Sequence, residues 1–150
     1  MFTVYLAGSI QCEREEFCRG WRKDIIKRFE KYEHIKFLNP IEGKDLSAEY
    51  DPKVIFETDI DCINQSDIVV VEMAYEDYHY IGSSIEIYHA WRKNIPVIIW
   101  GSAHKDHYFL KYLSEWRVEN KEQAIDMIFE KYHNWCQVYR ELIQKEEEQG

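Results

Sequence analysis

Ile68-Val69-Val70-Val71, with Ser66-Asp67 before it and Glu72 after it, sets four β-branched residues in a row. Such side chains are stiff at their first torsion and favour extended backbone. Apolarity without polar alternation marks a strand covered on both faces, as in a parallel sheet. A parallel strand needs a crossover on each side, so the flanks should be helical. Upstream, Asp51-Pro52 reads as a helix start, with Asp as cap and Pro in the first turn, and the helix runs to about Ser66. Downstream, Ala74 to Ile81 is a loop rich in Tyr and acidic residues. Gly82-Ser83-Ser84 then opens a helix ending near Asn94, and Pro96 to Trp100 is the next strand.

The same alternation extends to both ends. Phe2 to Ala7 reads as a buried strand ending at Gly8-Ser9, and Arg14 to Tyr32 as an amphipathic helix with Phe17, Trp21, Ile25 and Phe29 on one face. His34 to Leu38 is a short strand stopped by Asn39-Pro40, and Glu42 to Tyr50 a polar loop. Ser102 to Asn120 should hold a short helix, then a short strand around Trp116 to Val118. Lys121 to about Glu147 is a long terminal helix with an apolar stripe from Ile125 through Trp135, Tyr139 and Leu142 to Ile143, expected to pack on the sheet. These elements predict one α/β domain over residues 1–150, a doubly wound parallel sheet with a long C-terminal helix. In such sheets ligands bind outside the carboxyl ends of the strands, which points to Gly8–Arg14 and Glu72–Glu86.

Composition narrows the partners. Nineteen Lys and Arg stand against 28 Asp and Glu, a formal charge of −9. That argues against a nucleic-acid polymer, which needs a basic surface, while leaving room for one small anionic ligand. Cys12, Cys18, Cys62 and Cys136 form no C-x-x-C pair or zinc spacing, and the six histidines show no H-x-x-x-H pattern. Reduced thiols in the cytoplasm are expected, with no metal and no cofactor. No apolar run is long enough to span a bilayer and no signal-peptide pattern is present, so no membrane partner is expected.

Glu86 is the sharpest chemical candidate. Read locally, Ser83 with Glu86 is an S-x-x-E capping box in a first helical turn. The functional alternative uses the same place, because a carboxylate near a helix N-terminus at the sheet's carboxyl edge can serve as a nucleophile. Asp59 shares a helix face with Ile55, Cys62 and Ile63, where a carboxylate needs a partner or a purpose; a structural Asp is the alternative. Tyr5, by itself a core residue, lies close enough to its strand end to reach a carboxylate. Glu72 ends its strand and either faces solvent or lines the site. Gly8-Ser9-Ile10 could bind an anion through backbone N–H groups and the Ser9 hydroxyl, with Arg14 adding charge, although no phosphate-loop motif is present.

Together these segments resemble the nucleoside 2-deoxyribosyltransferase family. The matching pieces are Tyr5-Leu6-Ala7-Gly8-Ser9, then Asp59 ahead of Ser66-Asp67-Ile68-Val69-Val70-Val71. Gly82-Ser83-Ser84-Ile85-Glu86-Ile87-Tyr88-His89-Ala90 and Pro96-Val97-Ile98-Ile99 follow, over about residues 2 to 100. The resemblance implies a flavodoxin-like fold, a homo-oligomer with sites near subunit interfaces, and a small nucleoside and free base as ligands. It implies that Glu86 attacks the sugar to form a glycosyl ester, that Tyr5 orients Glu86, and that Asp59 holds or protonates the departing base, whose place a second base then takes. Gly8, Ser9, Ile10, Arg14, Glu72, Tyr80, Gly82, Ser83 and Ser84 would line the substrate. Two departures stand out: Tyr80-Ile81 precedes Gly82 where several transferases carry an acid, and the chain end, Lys145 to Gly150, is charged. Gly8-Ser9-Ile10 and Val70-Val71-Glu72 also resemble the 2′-deoxynucleoside 5′-monophosphate N-hydrolase branch, where Ser9, helped by Ser83 and Ser84, would hold a phosphate. A nucleotide-binding sensor without catalysis is the alternative of another class.

Overall fold

A computed structural model of the chain describes residues 1–150. Five strands form one sheet: β1 (Phe2–Ala7), β2 (Ile35–Leu38), β3 (Ile68–Glu72), β4 (Val97–Trp100) and β5 (Trp116–Val118). Their order is β2-β1-β3-β4-β5 and every neighbouring pair is parallel. This is the flavodoxin-like order of a doubly wound sheet, whose switch point lies between β1 and β3. The helices are α1 (Glu15–Arg28), α2 (Pro52–Asn64), α3 (Ile81–Arg92), α4 (Tyr108–Leu113) and α5 (Lys121–Gln149).

The two-residue period of the strands divides the core. Val4, Leu6, Ile68, Val70, Ile98 and Trp100 face α1 and α5, meeting Trp21, Ile25, Ile125 and Ile128. Tyr5, Ala7, Val69, Val71, Val97 and Ile99 face the other layer, meeting Ile63 of α2, Ile87 and Ala90 of α3 and Leu110 of α4. The register Tyr5↔Val69 and Ala7↔Val71 therefore aims Tyr5 at the layer that carries Asp59 and Glu86.

Several boundaries differ from the sequence expectation. α1 begins at Glu15 after a 3₁₀ turn over Cys12–Arg14, and closes at Arg28, four residues before Tyr32. Asp51 caps α2 as expected, its side chain accepting from the Lys53 N–H at 3.0 Å. α3 starts at Ile81, so Glu86 sits in its second turn, and the Ser83–Glu86 capping box does not form. Tyr80, in the left-handed region at φ 55°, occupies the cap position instead. Ser83 is buried within the helix, while the Ser84 hydroxyl donates back to the Tyr80 carbonyl at 2.8 Å. The terminal helix packs on the sheet only as far as Tyr132, Trp135 and Cys136; Tyr139, Leu142 and Ile143 run past the body into solvent. At about 1.5 Å per residue, 29 residues span roughly 44 Å, well beyond strands of three to six residues.

Candidate active site

The carboxyl ends of β1 and β3 carry two polar clusters of opposite character. The first is closed. Glu72 is fully buried and its carboxylate accepts four hydrogen bonds. The Ser9 N–H and hydroxyl both donate to Oε1, at 2.9 and 2.6 Å. The Ala74 N–H and the Tyr80 hydroxyl both donate to Oε2, at 2.7 and 2.5 Å. Four donors engage both of its oxygens. Gly8 is required beside it, because a Cβ there would stand 3.0 Å from both Cβ and Oε1 of Glu72.

This cluster fixes where the first loop points. Ser9 is fully buried and its two donors are spent on Glu72, so it turns away from any ligand at the surface. Arg14 is spent as well: its guanidinium donates to both Asp77 carboxylate oxygens at 3.0 and 2.6 Å and lies over the Tyr75 ring. Ile10 and Gly82 are exposed, Ser83 is buried in α3, and the Ser84 hydroxyl is taken by the Tyr80 carbonyl at the start of that helix. The Tyr80 phenol, replacing the acid of several transferases, is tied to Glu72 and held neutral by burial and by that carboxylate, which push its pKa up.

The second cluster is open in the hydrogen-bonding sense. Tyr5 Oη, Asp59 Oδ1 and Glu86 Oε2 are buried atoms without a hydrogen-bond partner. The three residues come from β1, α2 and α3 and act on one another electrostatically. Burial, with the Glu86 and Asp59 charges next, drives the Tyr5 phenol far above its ordinary range. Burial pushes Glu86 up to about 7, the Asp59 charge adds to that, and Tyr5 and Arg22 oppose it. Burial also raises Asp59, against Lys44 and Arg22. Tyr5 and Glu86 thus influence each other without closing a standard hydrogen bond. Buried polar atoms are nearly always satisfied, so three orphans at one strand edge need an explanation.

Five surface clefts, on α1, α3, α4 and α5, are lined by residues other than Tyr5, Asp59 and Glu86. The most apolar of them, about 900 Å³, lies between α3 and α4 on the outer face of the Glu86 helix. Nowhere do three His, Cys, Asp or Glu side chains gather in a metal-binding group.

The family model described as nucleoside 2-deoxyribosyltransferase like matches residues 1–104, the stretch that contains both clusters. The chain belongs to the nucleoside 2-deoxyribosyltransferase-like family. No curated protein matches it. Among solved structures, a conserved protein from Enterococcus faecalis V583 is 20% identical with a TM-score of 0.68, covering 87% of this chain and 99% of its own. The 2-deoxyribosyltransferase of the psychrotolerant bacterium Bacillus psychrosaccharolyticus is 14% identical with a TM-score of 0.66, over 82% of this chain and 90% of its own. The 2-deoxyribosyltransferase of Leishmania mexicana is 17% identical with a TM-score of 0.53, over 77% and 73%. At these identities the structural matches speak to fold.

Within this deoxyribosyltransferase-like frame, sequence reading missed two charged neighbours. Lys44, in the loop before α2, acts on Asp59. Arg22, on α1, is fully buried and acts on both Glu86 and Asp59. The signal for Arg22 was present: Cys18, Arg22, Ile25 and Phe29 share one helix face, and all four are buried.

Proposed function

We propose that the chain breaks the N-glycosidic bond of a 2′-deoxynucleoside and passes the sugar to a second base, with Glu86 as nucleophile. The observation that carries this reading is the set of orphaned buried oxygens on Tyr5, Asp59 and Glu86, in a chain of this family. A carboxylate in a dry site is a stronger nucleophile than one in water, and a pKa of about 7 keeps much of Glu86 ionised at neutral pH. A Glu86 oxygen attacks C1′ as the bond from C1′ to the base nitrogen breaks. Asp59, whose proton affinity burial has raised, gives its proton to the departing base. The Tyr5 hydroxyl faces Glu86 and orients it. A second base then attacks C1′ from the face the first has left, its N–H proton returns to Asp59, and the Glu86 carboxylate is released. Two displacements retain configuration.

Two observations favour a nucleoside over its 5′-monophosphate. Ser9 is committed to Glu72 and Arg14 to Asp77, so the first loop offers no unpaired side-chain cation or hydroxyl for a phosphate. We also assign the aromatic outer face of α3 and α4 to a second copy of the chain. Ile85, Tyr88, Trp91, Tyr108, Phe109 and Tyr112 are exposed, three of them by 73% or more. At roughly 200 Å² per aromatic side chain this leaves on the order of 600 Å² of ring surface in solvent. That is the upper end for a monomer's patch, and near the ~800 Å² that each partner buries in a standard interface. No helix is long and apolar enough to cross a membrane, and the four free thiols suit the cytoplasm, where we place the protein.

The test is a chromatographic product assay with deoxynucleosides and their monophosphates, with and without a second free base. A new nucleoside that forms only with the second base is the expected result. Free base with deoxyribose 5-phosphate, indifferent to an acceptor, would replace transfer by monophosphate hydrolysis. Binding without any product would replace both by a sensor.

A further inference from the structure

Arg22 belongs to α1, in the layer opposite Glu86, yet its guanidinium reaches round the end of β1. It is fully buried. Its Nε donates to the Leu6 carbonyl at 3.2 Å, and its Nη1 to the carbonyls of Cys18 at 2.8 Å and Ser9 at 3.4 Å. Its Nη2 is buried and has no partner. A buried arginine ordinarily takes a carboxylate in a forked pair. This one forms no salt bridge, so nothing in contact neutralises its charge. The nearby negative groups are Glu86, Asp59 and Glu72, all beyond hydrogen-bond contact.

We propose that Arg22 is a positioning residue, a fixed positive charge pinned at the end of β1 by three carbonyls and favouring the carboxylate form of Glu86, the nucleophile, under the site. The proposal rests on the functional reading given above. A structural staple would need only the carbonyl bonds. The unneutralised charge and the unpartnered nitrogen are what a staple leaves unexplained. A cation in this place offsets part of the cost of ionising Glu86 in a buried site, while Asp59 keeps the proton it gives to the base. Arginine suits the role because it stays charged when buried, whereas a lysine loses its proton more readily. The groups that set the titration of Glu86 are then Tyr5 on β1, Asp59 on α2 and Arg22 on α1, with Lys44 acting through Asp59.

The experiment titrates the Glu86 carboxyl by ¹³C NMR in full-length protein carrying labelled glutamate, its signal assigned by its loss in Glu86→Gln. Parent, Arg22→Gln, Arg22→Met and Arg22→Lys are compared, alongside the pH profile of kcat/KM for glycosidic cleavage. Removing the charge in either neutral variant should raise the Glu86 midpoint and the acid limb together by about one pH unit or more. Arg22→Lys should fall between the parent and the neutral variants, because a buried lysine gives up part of its charge. A folded neutral variant with an unmoved midpoint overturns the proposal. Failure of both neutral variants to fold would make Arg22 a staple and also count against it. Inactivity of the parent on every substrate would sink the functional reading while the NMR titration still tested Arg22.

Discussion

Replacing Glu86 by Gln should abolish turnover and stabilise the protein, in a way that depends on pH. Unfolded, the carboxyl titrates near its ordinary 4.5; folded, near 7. Between those values the folded chain binds more protons than the unfolded one, so stability falls as pH rises. The contribution of Glu86 is therefore intact below pH 4.5 and lost as pH rises through 7. The gap between 4.5 and about 7, at about 1.4 kcal/mol per pH unit, amounts to about 3 kcal/mol by pH 8. Glutamine carries no charge and avoids that cost. In urea unfolding, Glu86→Gln should exceed the parent by about 3 kcal/mol at pH 8 and by under about 1 kcal/mol at pH 5. For a domain of this size the pH 8 difference is roughly 6 to 12 °C in melting temperature. A variant no more stable than the parent at pH 8, or equally stabilised at both pH values, would refute the claim that burial raises the Glu86 carboxyl to about 7. Retained activity would separately refute its role as nucleophile.

Other substitutions probe the frame around the site. Tyr5→Phe removes the hydroxyl that faces Glu86 and should lower kcat on the proposed substrates while far-ultraviolet circular dichroism stays unchanged; full activity would remove Tyr5 from the mechanism. Gly101→Ala should cost at least about 1 to 3 kcal/mol in urea unfolding, because φ is +110° and a Cβ would run into the Met73 carbonyl. Gly20→Ala in α1, where a Cβ meets nothing within 4 Å, should gain up to about 1 kcal/mol in the same assay. Tyr108→Ser combined with Tyr112→Ser should convert a sedimenting dimer to a monomer. A parent that sediments as a monomer would remove the second copy from the α3–α4 face.

The architecture was legible in the sequence wherever one segment carries its own pattern. Ile68-Val69-Val70-Val71 needs no distant partner to declare a doubly covered strand, and Asp51-Pro52 caps its helix by local chemistry alone. What escaped depends on residues far apart in the chain. Whether Ser9 faces a ligand or the interior is decided by Glu72, 63 residues away, which takes both of its donors. The start of α3 was obscured by Tyr80, a residue whose type gives no warning of a left-handed conformation. Arg14 looked like a free cation until folding brought Asp77 beside it. Arg22 was legible by spacing, but an arginine on an apolar face invites being overlooked as a solvated side chain.

The two glutamates at the strand edge also show how the fold separates structure from chemistry. Glu72 and Glu86 are both withdrawn from bulk water near the switch point between β1 and β3. Glu72 receives four donors, which offset the loss of hydration and leave its lone pairs engaged. Glu86 keeps one oxygen with no donor, faces a second carboxylate, and shifts to about 7. A carboxylate saturated with donors is a poor nucleophile, since each hydrogen bond must weaken before its lone pair can form a new bond. One left short of donors gives up little on attacking an electron-poor carbon. The difference between the two glutamates follows from how many donors each one meets. The two loops that reach Glu72, one after β1 and one after β3, contribute two backbone N–H groups and two hydroxyls, while β1, α2 and α1 offer Glu86 only a phenol, an aspartate and a cation held at a distance.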